Sequence, residues 1–112
     1  MVVDPRRTGI SLLNGAGNAG PVYAPPRVEM HASGLCQVEG WIMVTGIPKG
    51  TYIARLPSQF APLTRKSIAS VTVSNTGMAT LLVEPDGRIM LFDYTATSIT
   101  YVSLDGQSFS CK

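Results

Sequence analysis

The residues best spaced to do chemistry are three glycines. In "NGAGNAGPVYAPP", Gly15, Gly17 and Gly20 fit G-x-G-x-x-G, and the short apolar run at 10–13 ahead of them has the composition of a strand. That fingerprint binds a pyrophosphate on the N-terminal N–H groups of a helix that opens at its last glycine. Here Gly20 is followed by Pro21, Pro25 and Pro26. A proline in the second turn of a helix lacks its N–H and collides with the turn before it. The residue ahead of a proline, here Ala24, is also steered out of helical geometry. No helix can start at Gly20, so the motif lacks its phosphate-binding half. Glu39, at about the spacing of a ribose-binding acid, then has no nucleotide to hold, and no cofactor is expected.

The other reactive residues are sparse. His31 is the single histidine, so a zinc site would need Cys36, Cys111 and a carboxylate to converge on it. A Ser-His-Asp triad would have to be built around the same residue, and no nucleophile elbow is present. Glycoside hydrolysis requires two carboxylates facing each other across a sugar. Asp86 and Asp105 sit in turns, where such side chains bond local backbone, and Glu84 borders a turn. Only Glu29 and Glu39, on neighbouring expected strands, are placed to pair. The chain reads as non-enzymatic, with no metal site.

Composition narrows the classes further. With 112 residues there is room for one domain, which at this size buries roughly two-thirds of its unfolded surface. The charged fraction of 14% is well under the usual share of about 25%, which points to a surface that contacts other protein. Arg6-Arg7 and Arg65-Lys66 are isolated pairs rather than the basic stripe that nucleic acid requires. No apolar run approaches the roughly 18 residues of a membrane span, and the N-terminus lacks the apolar stretch of a signal peptide. The expectation is a protein made and first folded in a cytoplasm, with no membrane insertion. Cys36 and Cys111 allow one disulfide without requiring it. Cys36 is in phase with Val38, Ile42 and Val44, which reads it as a small buried hydrophobe.

The elements that must position these residues are strands. Residues 1–26 hold Gly9, Gly15, Gly17 and Gly20 with Pro5, Pro21, Pro25 and Pro26, and no strand or helix of useful length is expected between such breakers. This stretch reads as an extended Gly/Pro-rich docking arm, and residues 27–112 as a knob. From Arg27 the pattern has period two. Val28, Met30 and Ala32 share a face; after a turn at Ser33-Gly34, "LCQVEGWIMVTG" reads as one strand. "GIPKG" is a turn, "TYIARL" a strand stopped by Pro57, "SIASVTVS" a strand ended by the turn at Asn75–Gly77. "MATLLVE" and "RIMLFDY" flank Pro85-Asp86-Gly87, and "SITYVSL" and "QSFSC" flank Asp105-Gly106, so both pairs are expected hairpins. Seven or eight short strands and no helix indicate an all-β antiparallel sandwich, jelly-roll-like.

The stretch 27–109 resembles the C-terminal head domains of tailed-phage tail fibres and receptor-binding proteins. The resemblance rests on Gly50, Ile53, Ala54, Leu56, Pro57, Phe60 and Pro62, then Asp86, Gly87 and Ile89, then Tyr101, Val102, Ser103, Leu104, Gly106, Ser108 and Phe109. It implies a small homotrimeric β-sandwich on a virion. Heads of that family normally follow a long shaft, whereas here only the arm precedes the knob, which favours a capsid decoration or head-fibre protein. The arm would dock on other virion proteins through Arg6, Arg7, Leu12 and Leu13. The alternative task for the same fold is a receptor-binding tip gripping host-surface saccharide through Trp41, Tyr94 and Tyr101. Leu56 to Pro62 reads as a rigid corner whose Phe60 plugs one end of the sandwich.

Overall fold

The structure, a computed structural model, describes residues 7–18, 25–31, 34–73, 78–94 and 100–111. Twelve strands run through them: β1 (Arg7–Gly9), β2 (Ser11–Leu12), β3 (Gly17–Asn18), β4 (Arg27–Met30), β5 (Leu35–Glu39), β6 (Trp41–Met43), β7 (Thr51–Arg55), β8 (Lys66–Val73), β9 (Met78–Val83), β10 (Arg88–Tyr94), β11 (Tyr101–Ser103) and β12 (Gln107–Ser110). The protein is an all-β antiparallel sandwich. One sheet has the order β1-β4-β5-β12 and the other β2-β7-β10-β9-β8-β11-β6-β3. Apolar residues at alternate positions fill the space between them: Val28, Cys36 and Val38 from the first sheet meet Ile68, Ala79, Leu81, Val83, Ile89, Leu91 and Val102 from the second.

Three expectations need correction. First, the strands number twelve among the described residues, in part because residues 7–18 supply three short ones where none of useful length was expected. Each is an edge strand on a different partner: β1 on β4, β2 on β7, β3 on β6. Ile10, between β1 and β2, is buried in the core, so this part of the supposed arm belongs to the sandwich. Glycines and prolines forbid long strands, but at an edge two or three residues suffice to pair. The linker between β2 and β3 also fixes the shape of the larger sheet. Laid flat, eight strands would separate its outermost pair by about 34 Å. The chain from Leu12 to Gly17 reaches at most about 18 Å. The sheet therefore curls until its two edges approach.

Second, "LCQVEGWIMVTG" is two strands in two sheets. The break is at Gly40, with φ +103°, where a Cβ would collide with the carbonyl oxygen of Pro25 and the backbone of Pro26. Glycine tolerates this left-handed backbone and the close approach together. Third, Asp105-Gly106 does not close a hairpin in one sheet. β11 pairs with β6 in the large sheet, while β12 pairs with β5 in the small one. β5–β6 and β11–β12 thus form one antiparallel ribbon bent across the edge of the sandwich, the kind of corner by which strands change sheets. The Leu104 N–H donates to the Gly40 carbonyl at 2.8 Å inside the bend.

The other end follows expectation. Pro57 precedes a short 3-10 turn, Ser58–Phe60, and Phe60 is fully buried. Cys36 and Cys111, which allow a disulfide without requiring one, are bonded to each other, so Cys36 is buried as a bridge rather than as the free thiol its phase suggests. The turn at Asn75–Gly77 lies outside the described residues, as does Ala32.

Candidate functional site

The bend gathers several polar groups around one carboxylate. The Asp105 carboxylate spans it: the Gly40 N–H donates to Oδ1 at 2.7 Å and the Trp41 indole N–H to Oδ2 at 3.1 Å. The Asp105 N–H donates in turn to Ser103 Oγ at 3.1 Å. The expectation that the Asp105 side chain bonds local backbone is therefore overturned. Its partners lie more than sixty residues away, because the sheet change at Gly40 turns an N–H and an indole toward it.

On the small-sheet side of the bend lies an open groove of about 280 Å³, lined by Glu29, Gln37, Val38, Glu39, Asp105 and Gly106. Its floor is the outer face of β4 and β5. Glu29 stands opposite Gln37 and Arg27 opposite Glu39, so Glu29 and Glu39 are diagonal neighbours on one face, as their strand phases predict. The His31 ring donates from Nε2 to Gln37 Oε1 at 3.1 Å. Among the described residues no group of three His, Cys, Asp or Glu side chains is arranged to hold a metal ion.

The three aromatic candidates separate. Trp41 and Tyr101 lie on adjacent strands of the large sheet: Ser103 pairs with Trp41 and Tyr101 with Met43. Since Ile42 and Val102 point into the core, Trp41, Met43 and Tyr101 lie on the opposite, outward side of these strands. Tyr94 lies elsewhere, at the end of β10 opposite Ala79, packed partly against the core with Lys49 Nζ 4.8 Å from its ring centre. Of the docking candidates, Leu12 lies opposite Ala54 and packs on the core, and the Leu13 N–H donates to the Ile53 carbonyl. Arg7 is opposite Glu29 in β1; Arg6 lies outside the described residues.

Three ion pairs stand elsewhere among the described residues. Arg65 makes two bonds to Glu84, at 2.5 and 3.0 Å. Lys49 meets Asp93 at 3.0 Å and Arg88 meets Asp86 at 2.7 Å, while the Arg88 guanidinium lies 4.1 Å from the centre of the Tyr52 ring. Bonds from the Arg88 backbone N–H and then its side chain hold the Asp86 carboxyl below its ordinary value. The Lys49 ammonium and the Tyr94 N–H lower Asp93 in the same way. The bond to Glu84 raises Arg65.

Sequence reasoning missed Asp105 and Gln37 as site residues. The signal for Gln37 was its outward phase between Cys36 and Val38. For Asp105 no local signal exists, since its partners are set by a strand that changes sheets. Fold and site together define an antiparallel β-sandwich with a bent corner ribbon, a carboxylate-lined groove and a neutral aromatic patch beside it. No protein-family model matches the chain, and no curated protein matches it.

Proposed function

We propose that this protein is a non-enzymatic structural protein of a tailed-phage virion, a homotrimeric surface knob of the capsid-decoration or head-fibre type, joined to other virion proteins through its N-terminal stretch. The observation that carries this reading is the outward surface of the curled sheet. Trp41, Met43 and Tyr101 form a neutral patch there, and Met43 is 37% exposed. A charged side chain bonded to the patch, Asp105, accepts from the Gly40 N–H and the Trp41 indole N–H. Low charge and exposed aromatic or Met side chains are what the centre of a protein interface requires. The Cys36–Cys111 bridge also suits a protein exposed on a particle outside the cell, where disulfides persist.

Mass spectrometry of density-purified particles from cells that express the chain tests the reading. Its tryptic peptides are expected at a constant ratio to the major shell protein; their confinement to the particle-free lysate would contradict it.

One observation favours the saccharide-binding alternative for the same fold. Asp105 lines the groove and bonds Trp41 at once, so carboxylates and an aromatic ring meet at one corner, the pairing that sugar hydroxyls and sugar faces use. Under that reading the purified protein binds immobilised host-surface glycan, and Trp41→Phe, which removes the indole N–H but keeps a ring, weakens binding less than Trp41→Ala does.

A further inference from the structure

The C-terminal strand of the smaller sheet is held by unequal means. β12 ends that sheet and pairs with β5 alone within it. Cys36 stands in β5 opposite Phe109, and Cys111 follows β12 directly, its N–H donating to the Gly34 carbonyl at 3.0 Å. The two cysteines are bonded across a sequence separation of 75, with Cα atoms 5.8 Å apart, and both residues have no exposed surface.

We infer that this bridge is a redox latch: the chain reaches its fold with both thiols reduced, and the bond then locks β12 when the protein meets an oxidising environment. Three observations point this way. The inward phase of Cys36 is that of Val38 beside it, and a reduced thiol in that place is a small apolar side chain that fits the same core. The strands β7 to β10, which bring Ile53, Ile68, Leu81, Val83, Ile89 and Leu91 to the core, contain no cysteine, so the bond does not tie these four strands to one another. The closed loop is long, and a bridge constrains the unfolded chain most when it closes a long loop.

In the step itself, a Cys36 or Cys111 thiolate attacks a small-molecule disulfide such as oxidised glutathione and releases one glutathione thiol. The second cysteine sulfur then attacks the mixed disulfide, forms the Sγ–Sγ bond and releases the other. The protein loses two electrons and two protons, and the oxidant gains both. Because the sulfurs are buried, exchange in either direction requires β12 to lift from β5, a local opening rather than global unfolding. A reducing cytosol keeps the latch open and an extracellular surface closes it. The inference goes beyond the virion reading, and its test is independent of particles and of oligomeric state.

The test compares three samples of the full-length protein: oxidised, reduced, and the double variant Cys36→Ala/Cys111→Ala. The reduced protein and the variant are expected to melt cooperatively, with midpoints lower than the oxidised protein by on the order of 15 °C. Oxidised glutathione added to the folded reduced protein is expected to remove both titratable thiols and restore the upper midpoint, while leaving the variant unchanged. Amide exchange in β12 is expected to quicken on reduction by at least about tenfold more than exchange in β9 and β10. Equal midpoints and equal β12 protection in the two redox states would overturn the inference. So would failure of both the reduced protein and the variant to fold, which would make the bond a condition of folding, and so would thiols in the folded protein that oxidised glutathione cannot pair.

Discussion

Two Asp-Gly turns, alike in sequence, are held by opposite partners. At Pro85-Asp86-Gly87 the aspartate is local: its carboxylate accepts from the Arg88 N–H at 3.0 Å and from the Arg88 guanidinium. Its glycine is not local. Gly87 has φ +93°, a Cβ there would lie 2.7 Å from the Leu56 carbonyl oxygen, and the Gly87 carbonyl accepts from the Leu56 N–H at 2.8 Å. At Asp105-Gly106 the roles reverse. The aspartate reaches Gly40 and Trp41, whereas Gly106, with φ +78°, has open space where a Cβ would go. A turn dipeptide thus specifies a chain reversal. Which of its two residues the tertiary structure depends on is decided by what packs beside the turn.

Substitutions at the four positions separate these roles, and the largest effect belongs to Gly87→Ala. The new methyl group meets a backbone oxygen that cannot move without breaking the β7–β10 contact, and the residue must also hold a positive φ. A loss of about 3 kcal/mol is expected in urea unfolding. Asp105→Ala strips the Gly40 N–H and the Trp41 indole of their acceptor, for a loss of about 2 kcal/mol. Its signature is a change in Trp41 fluorescence that Asp105→Asn only partly reproduces. Gly106→Ala carries the backbone strain alone, about 1 kcal/mol by the same unfolding measurement. Were Gly106→Ala as costly as Gly87→Ala, the contrast between the two turns would fail.

Asp86→Ala is expected to have the smallest effect, and one that depends on pH. The folded state lowers the Asp86 carboxyl, mainly through the Arg88 N–H, and lowers Asp93 through Lys49 and Tyr94. A carboxyl lowered on folding contributes stability above its unfolded value and loses that contribution as pH falls through the folded one. The thermal midpoint of the wild-type protein is therefore expected to be flat near neutrality and to fall below pH about 4. An Asp86→Asn/Asp93→Asn variant is expected to show a shallower fall. A steeper one would assign the acid sensitivity to other carboxylates.

Much of this fold is legible in the sequence because its signals are local. The alternation of Val28, Cys36, Val38, Ile42, Ala79, Leu81, Val83, Ile89 and Leu91 places each of them inward without reference to any partner. Phe60 behind Pro57 marks its buried corner, and Glu29 and Glu39 mark one outward face. What escapes depends on pairing between distant residues. The apolar phase continues through Gly40 from Val38 to Ile42, so periodicity reports one strand even though the backbone changes sheets. Residues 7–18 look like breakers because edge strands of two or three residues carry no periodic signal. The Cys36–Cys111 bond joins positions 75 apart, and hydrophobic phase describes a buried thiol and a buried bridge in the same way. The groove combines both cases: its glutamates are readable from β4 and β5, and Asp105 is not.

The central claim is that the neutral patch of Trp41, Met43 and Tyr101 joins three copies of the chain. Light scattering on the intact oxidised protein, over a hundredfold range of concentration, measures this most directly. The account predicts a mass three times the 11.9 kDa of the chain, falling to that of the single chain when Met43→Lys places a charge in the patch while the melting transition remains cooperative. A single-chain mass for the unsubstituted protein at every concentration would contradict it.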